Sequence, residues 1–443
     1  FGRKSPSPHS PASIFKLHPS QNTSGTLWEL FYPQLRGRID ALSSAIEAQE
    51  RMLQDNRSSD AYRDLNFSVD PMARLPLELQ SNIFLRCIPD SSPDNMKTKP
   101  DPNVPPMVFM AVSRMWRDIA LATPRLWAAL RMELLPRSEN FVELCRRWMK
   151  RAGCYPLTLA FHGDLIVDRH VSDLLDEFSM QLHHLSFHVA PTAVGEDRDY
   201  GAPQVPLSLN VQFTCLESLT IHGEDKGSSD ALEYVELIHA APALLECDLR
   251  NMFFHSDDWP SMAHSSLQQL RLGCPWPWNA ESCQAESSAT ILLHLTLSAL
   301  RGLYVTEFDI KMQEFIAFLI RSSPPLDTLF ISFPRYMSAQ VISDCFQHIP
   351  TLTSLTLDGT YLPAITILAA YPNLLPNLHH LTIQPVFPNW HCDAMMDVLS
   401  ARLLKSFRIR HAISTPDEDT IFALQAFARG HDELQLCIEY FPA

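Results

Sequence analysis

Two adjacent histidine pairs, His183/His184 and His379/His380, ten cysteines and thirteen glycines are the residues from which a metal site, a redox pair or a phosphate cradle could be built. Their spacing argues against each. Neighbours on a strand point to opposite faces, so neither histidine pair can hold one ion between its two rings. The closest cysteines are Cys145/Cys154 and Cys274/Cys283, with neither the Cys-x-x-Cys spacing of metal and redox sites nor the density of a disulfide framework. The glycines form neither Gly-x-Gly-x-x-Gly nor Gly-x4-Gly-Lys-Ser/Thr, and His-Glu-x-x-His and Gly-x-Ser-x-Gly are both missing. No catalytic group, cofactor or metal is therefore expected, and an enzyme would need an unusual cluster of titratable groups gathered by the fold. One segment, Cys274-Pro-Trp-Pro-Trp278 through Cys283, is aromatic enough to bind a partner or simply to pack as a loop.

The elements that could carry recognition instead are legible from composition and period. At 443 residues, with 46% hydrophobic and 19% charged side chains, the chain has enough apolar residues for a large core. Its formal charge of -15 repels phosphate backbones and anionic lipid, so neither nucleic acid nor membrane is an expected partner. No apolar run approaches bilayer length. The scattered cysteines suit a reducing compartment, cytoplasmic or nuclear.

Residues 1–26 are Ser/Pro-rich and read as a disordered tail. In 27–58, Leu35, Ile39, Leu42, Ile46 and Leu53 fall on one helical face, an amphipathic helix that packs on a neighbour or pairs with another helix. In 72–130 two further helices are expected. Pro76 suits the first helical turn, and Leu79, Ile83, Phe84, Cys87 and Ile88 form one apolar face. The second helix places Val108, Val112, Met115, Trp116 and Ile119 on a common stripe.

Leu75-Pro76-x-Glu78-Leu79-x-x-x-Ile83-Phe84 followed by Val112-Ser113-Arg114-x-Trp116-Arg117-x-Ile119-Ala120 resembles the F-box, and Thr123-Pro124-Arg125-Leu126-Trp127 resembles the extension typical of fungal F-box proteins. The resemblance covers about 60 residues. It implies docking on the Skp-type adaptor of a cullin–RING ubiquitin ligase through Leu75, Pro76, Leu79, Ile83 and Phe84. Val112 and Trp116 either complete the module's core or meet the adaptor.

From residue 150 to 443 a Leu-x-x-Leu-x-Leu-like unit recurs, clearest at Leu300, Leu326, Leu352, Leu378 and Leu404, starts spaced 26 residues apart four times running. Looser copies begin at Leu157, Leu182, Leu216, Leu244 and Leu267, and Leu436-Cys437-Ile438 supplies a last strand. A fixed period in this range reads as leucine-rich repeats, each a strand and a helix that bury their apolar faces only by stacking on neighbours. The expected fold class is thus α/β: a short all-α module and a solenoid of parallel strands with helices on the other side. Pro242, Pro324, Pro350 and Pro376 precede strands and stop helices such as 311–320 and 338–347; a further helix is expected over 393–399. The alternation of a strand puts His188, His222, Arg250, Arg271, Tyr304, Phe330, Asp358, His380, Arg408 and Arg410 on the concave sheet face, where they would meet a target protein. The expected protein is a non-catalytic substrate receptor of a ubiquitin ligase; the alternative is a repeat scaffold without ligase duty.

Overall fold

The computed structural model describes residues 44, 47, 70–88, 101–134, 139–163, 169–189, 212–223, 232–250, 261–273, 288–306, 311–333, 337–359, 362–384, 391–411, 418–431 and 433–440. The tail, most of the 27–58 helix and the tryptophan segment 274–283 lie outside these residues. The chain divides into two compact units, 1–76 and 77–443. In the first, Asp70 caps a 3-10 turn, Pro71–Arg74, by accepting the Met72 N–H at 2.9 Å. Ser44 and Glu47 are helical and exposed.

The second unit is built on one sheet of twelve strands, all parallel: β1 (Ala129–Leu134), β2 (Leu157–Gly163), β3 (Leu182–Val189), β4 (Ser218–Gly223), β5 (Glu246–Arg250), β7 (Gln269–Gly273), β9 (Gly302–Val305), β10 (Thr328–Phe333), β11 (Ser354–Gly359), β12 (His380–Gln384), β13 (Ser406–His411) and β14 (Gln435–Tyr440), in that order across the sheet. Sequence neighbours are spatial neighbours throughout, as strand–helix repeats require. The sheet starts before residue 150: β1 (Ala-Leu-Arg-Met-Glu-Leu) alternates at period two without the leucine lead of the later copies.

The repeat leucines stack into columns. Leu303, Leu329, Leu355, Leu381 and Phe407 align in register, and Val305, Ile331, Leu357, Ile383 and Ile409 form a second column; all are 0–1% exposed. At about 25 cal/mol per Å2 of buried apolar surface, each such side chain contributes about 1.5–3 kcal/mol, realised only when the next repeat covers it.

Helices occupy the other side: α1 (Leu77–Arg86), α2 (Met107–Val112) and α3 (Arg114–Leu121) precede the sheet, and α4 (Glu139–Arg151), α5 (Arg169–Phe178), α6 (Leu232–His239), α7 (Met312–Ser322), α8 (Ala339–Gln347), α9 (Leu362–Ala370), α10 (Cys392–Ala401) and α11 (Glu418–Arg429) alternate with strands. In the connections between β5 and β7 and between β7 and β9 the described residues contain no α-helix. There a pair of two-residue strands, β6 (Met262–Ala263) and β8 (Leu295–Thr296), and a 3-10 segment, Ser288–Leu293, form the outer layer. His264 anchors the first of these: its Nδ1 accepts the Leu267 N–H at 3.1 Å, so its Nε2–H donates to the Ala241 carbonyl at 2.9 Å. Arg321 performs a similar service from α7, donating to the Leu292 and Leu295 carbonyls at 2.7–3.2 Å.

The helical stripe expected across 108–119 is broken in two. Ser113 is extended (φ -156°, ψ 167°), and its Oγ accepts the Trp116 N–H at 3.2 Å, capping α3. Pro76 likewise stands just ahead of α1 rather than inside its first turn. A 3-10 turn, Pro124–Trp127, feeds into β1: Trp127 is fully buried, donates its indole N–H to the Ala120 carbonyl at 2.9 Å and packs edge-on against Trp148 of α4, with Arg151 over its ring. The turn that follows the helical module is thus packed into the first repeat.

Candidate functional site

Two surfaces of the second unit carry the candidate residues. On the helical module the expected apolar stripe divides into an inside and an outside. Phe84 is 1% exposed, stacks on Phe109 at 4.2 Å and lies 5.0 Å from the half-buried Trp116, which meets Phe109 edge-on at 6.1 Å. These three rings form the module's own core, so Phe84 and Trp116 are packing residues. Leu79, Ile83 and Val112 instead stand 49%, 39% and 55% exposed, with Leu77 at 53%. Leu79 and Ile83 are one helical turn apart and share a face of α1. Cys87 is also exposed, so the stripe read as one face is not one buried face. Leu75 and Pro76 belong to the first unit: Leu75 is half-buried and donates its N–H to the Met72 carbonyl at 3.1 Å, and Pro76 is exposed.

The second surface is the sheet face turned away from the helices. Strand alternation places His188, His222, Arg250, Tyr304, Phe330, Arg408 and Arg410 on it half-buried, and Arg271 and His380 exposed, while the intervening leucines point inward. Three rows run across the strands. The first includes His184 and His380. The middle row aligns Asp248, Arg271, Tyr304, Phe330, Thr356, Thr382 and Arg408 in register. The third aligns His162, His188, His222 and Arg250. Asp358 departs from expectation: it is on this face but only 2% exposed, so it displays nothing.

The histidine row is a stack. The rings of His162 and His188 lie parallel with centroids 4.1 Å apart, and His222 meets His188 edge-on at 4.9 Å. Ser186, itself fully buried, shares a hydrogen bond with His188 Nε2 at 3.0 Å. Burial first, then His188, Arg131 and His222, pushes the His162 imidazole down to about 3, so this ring is neutral at any physiological pH. Beside the last ring of the row stands Asp248 of the middle row. Burial opposes its charge, but the His222 ring, with Nε2 at 3.9 Å, and the Arg250 guanidinium, whose Nε donates at 2.8 Å, outweigh that and hold the carboxyl below its usual range. Burial lowers His184 as well. Beside Asp248 a depression of about 180 Å3 is lined by His184, Thr220, Glu246, Gln269 and Arg271.

Sequence reasoning missed His162, Asp248 and Glu439 on this face. His162 follows Leu157-x-Leu159-x-Phe161 as His188 follows Leu185-Ser186-Phe187, so the repeat alignment carried the signal. At the far end Arg408 and Arg410 share one carboxylate, Glu439, at 3.6 and 3.0 Å. His183 is displaced by a bulge against β2 and sits 3.4 Å from Glu217, apart from the ladder position of His184. Among the described residues no three His, Cys, Asp or Glu side chains converge as metal ligands, and no helix is long and apolar enough to cross a membrane.

These features define an α/β protein with a solenoid-like parallel sheet. The chain matches no protein-family model and no curated protein sequence.

Proposed function

We propose that this chain is the substrate-recognition subunit of a cullin–RING ubiquitin ligase: an F-box-like module docks on a Skp-type adaptor, and leucine-rich repeats hold a target protein on the helix-free face of the sheet. The observation that carries the reading is the division of the module's apolar residues. Phe84, Phe109 and Trp116 already fill its interior, so Leu77, Leu79, Ile83 and Val112 are surplus to folding and stand in water. Exposed leucine and isoleucine clustered on a short helix are what an obligate partner would cover.

The second reading, a repeat scaffold whose helices serve only as an end cap, is favoured by the buried Trp127–Trp148 contact. Capping accounts for Leu126 and Trp127; it gives no reason for Leu79 and Ile83 to be apolar. The discriminating experiment is a binding assay of the full chain with purified Skp-type adaptor. Wild type is expected to bind, and Leu79→Asp and Ile83→Asp to lose binding by more than about tenfold while keeping the wild-type melting temperature, since exposed substitutions change stability by roughly 0.5 kcal/mol or less. Equal binding by wild type and both variants, or a folded wild type that does not bind, would leave the scaffold reading.

A further inference from the structure

The depression beside Asp248 gathers polar side chains whose bonding capacity the fold leaves unused. Three of its lining residues carry charge: Glu246, Asp248 and Arg271. Asp248 is neutralised by Arg250, and Glu217, outside the lining, faces His183 at 3.4 Å. Glu246 and Arg271 are both exposed, and among the described residues neither forms an ion pair, with the other or with any third group. Arg271 lies only over the Tyr304 ring, at 5.0 Å. Thr220, 6% exposed, lines the same depression, and its hydroxyl has no hydrogen-bond partner among the described residues. Burial lowers His184, whose imidazole is therefore neutral and adds no charge. The site is thus neutral but polarised. A simple anion would meet Glu246 and a simple cation Arg271, so each charge needs its own counterpart on one ligand.

Register sets the spacing of those counterparts. Glu246 pairs with Gln269 and Asp248 with Arg271, so Glu246 and Arg271 are one strand apart and two residues out of step. At roughly 4.8 Å between strands and about 3.3 Å per residue, their Cα atoms stand about 8 Å apart. Side chains rise roughly perpendicular to a sheet, which carries this separation up to the charged groups. We propose that the depression binds a small zwitterionic α-amino acid, its carboxylate on Arg271, its ammonium on Glu246 and a polar side chain among Ser218, Thr220 and Gln269. An ammonium and a carboxylate on one Cα are about 3 Å apart, and a charge-assisted hydrogen bond adds about 2.8 Å on each side, so a single α-amino acid spans the gap. The volume of about 180 Å3 is also well below the roughly 300–1,000 Å3 of sites for drug-sized ligands. A protein segment would have to bring two charged side chains into this same space.

The inference requires neither adaptor docking nor a target protein. It is tested by calorimetric titration of the full chain with L-asparagine and four relatives that each change one feature: Nα-acetyl-L-asparagine lacks the ammonium, L-asparagine α-amide lacks the carboxylate, L-leucine lacks the polar side chain, and 6-aminohexanoate holds its charges further apart. L-asparagine is expected to bind, more weakly as salt rises, and each relative to bind about tenfold more weakly or worse. Glu246→Gln and Arg271→Gln should each weaken asparagine about tenfold without moving the melting temperature, since both side chains are exposed. The variants should also lose one discrimination each: Glu246→Gln should take asparagine and its Nα-acetyl form equally, and Arg271→Gln should take asparagine and its α-amide equally. No binding of asparagine at about 10 mM, failure of the wild type to discriminate against any one of the four relatives, or variants that keep the wild-type preferences overturns the proposal.

Discussion

Replacing Arg402 by Ala is expected to lower stability by about 3–5 kcal/mol. Arg402 follows α10 and is 9% exposed, and among the described residues it forms no ion pair with a carboxylate. Its guanidinium reaches back to the preceding repeat, where Nε donates to the Leu368 carbonyl at 2.8 Å, Nη1 to Leu375 at 3.1 Å, and Nη2 to Tyr371 at 2.9 Å and to Leu374. These carbonyls end α9 and form the turn after it, where Leu375 is held at φ 55°, a left-handed angle costly for leucine. The cation both satisfies orphan acceptors and opposes the negative end of the helix dipole. Without it several carbonyls lose their donor together. The measurement is denaturant unfolding combined with hydrogen exchange, and lost protection should concentrate in 362–384, because repeat proteins open locally. Arg402→Lys should not rescue, since an ammonium presents its donors from one point and cannot span this arc. A loss under about 1 kcal/mol for Arg402→Ala would sink the account.

Arg402 also marks the boundary of what the sequence makes visible. The strands beginning at Gly302, Thr328, Ser354, His380 and Ser406 follow from the leucine period, because each buried column needs the same residue class at the same place in every repeat. What caps each turn is set by whichever neighbouring side chain is long enough, so Arg402, Arg321 and His264 leave no periodic trace. The same reason hides β1, whose leucine lead is replaced by Trp127 and the helical module. On α1, Leu79 and Phe84 both fit one 3/4-spaced stripe; only the position of Phe109 and Trp116 decides which is covered. The sheet face was legible by alternation, down to Arg271, Tyr304, Phe330 and Arg408. The pairing at its far end was not, since Glu439 meets its arginines from a strand 29 residues further on, whereas Asp248 and Arg250 are i, i+2 neighbours on one strand.

Asp358 yields the second large effect, and its sign is unusual for a carboxylate. Alternation places it on the open face with Ser332 and Gln384 on either side, but it is 2% exposed and its Oδ1 has no hydrogen-bond partner among the described residues. Burial pushes the carboxyl up to about 7; the Gly359 N–H and the Ser332 hydroxyl oppose the shift without cancelling it. Gly359 takes φ +72°, and a Cβ there would stand 3.4 Å from Ser332 Oγ, so glycine keeps its amide beside the carboxyl without strain. Below pH 4 the group is protonated in both folded and unfolded chains and costs nothing. As pH rises from 4 toward 7 the unfolded chain loses this proton and the folded one keeps it, so stability falls by about 1.4 kcal/mol per unit and levels off above pH 7. Asn has the shape of the carboxyl and cannot ionise. Asp358→Asn should therefore match wild type within about 1 kcal/mol at pH 4.5 and exceed it by about 2–4 kcal/mol at pH 8.5, measured as the difference in denaturant midpoints. Titrations elsewhere are common to both chains and cancel in that difference. A gap between the two proteins that stays constant from pH 4.5 to 8.5 would mean that the carboxyl ionises in place and that its burial is compensated by a donor.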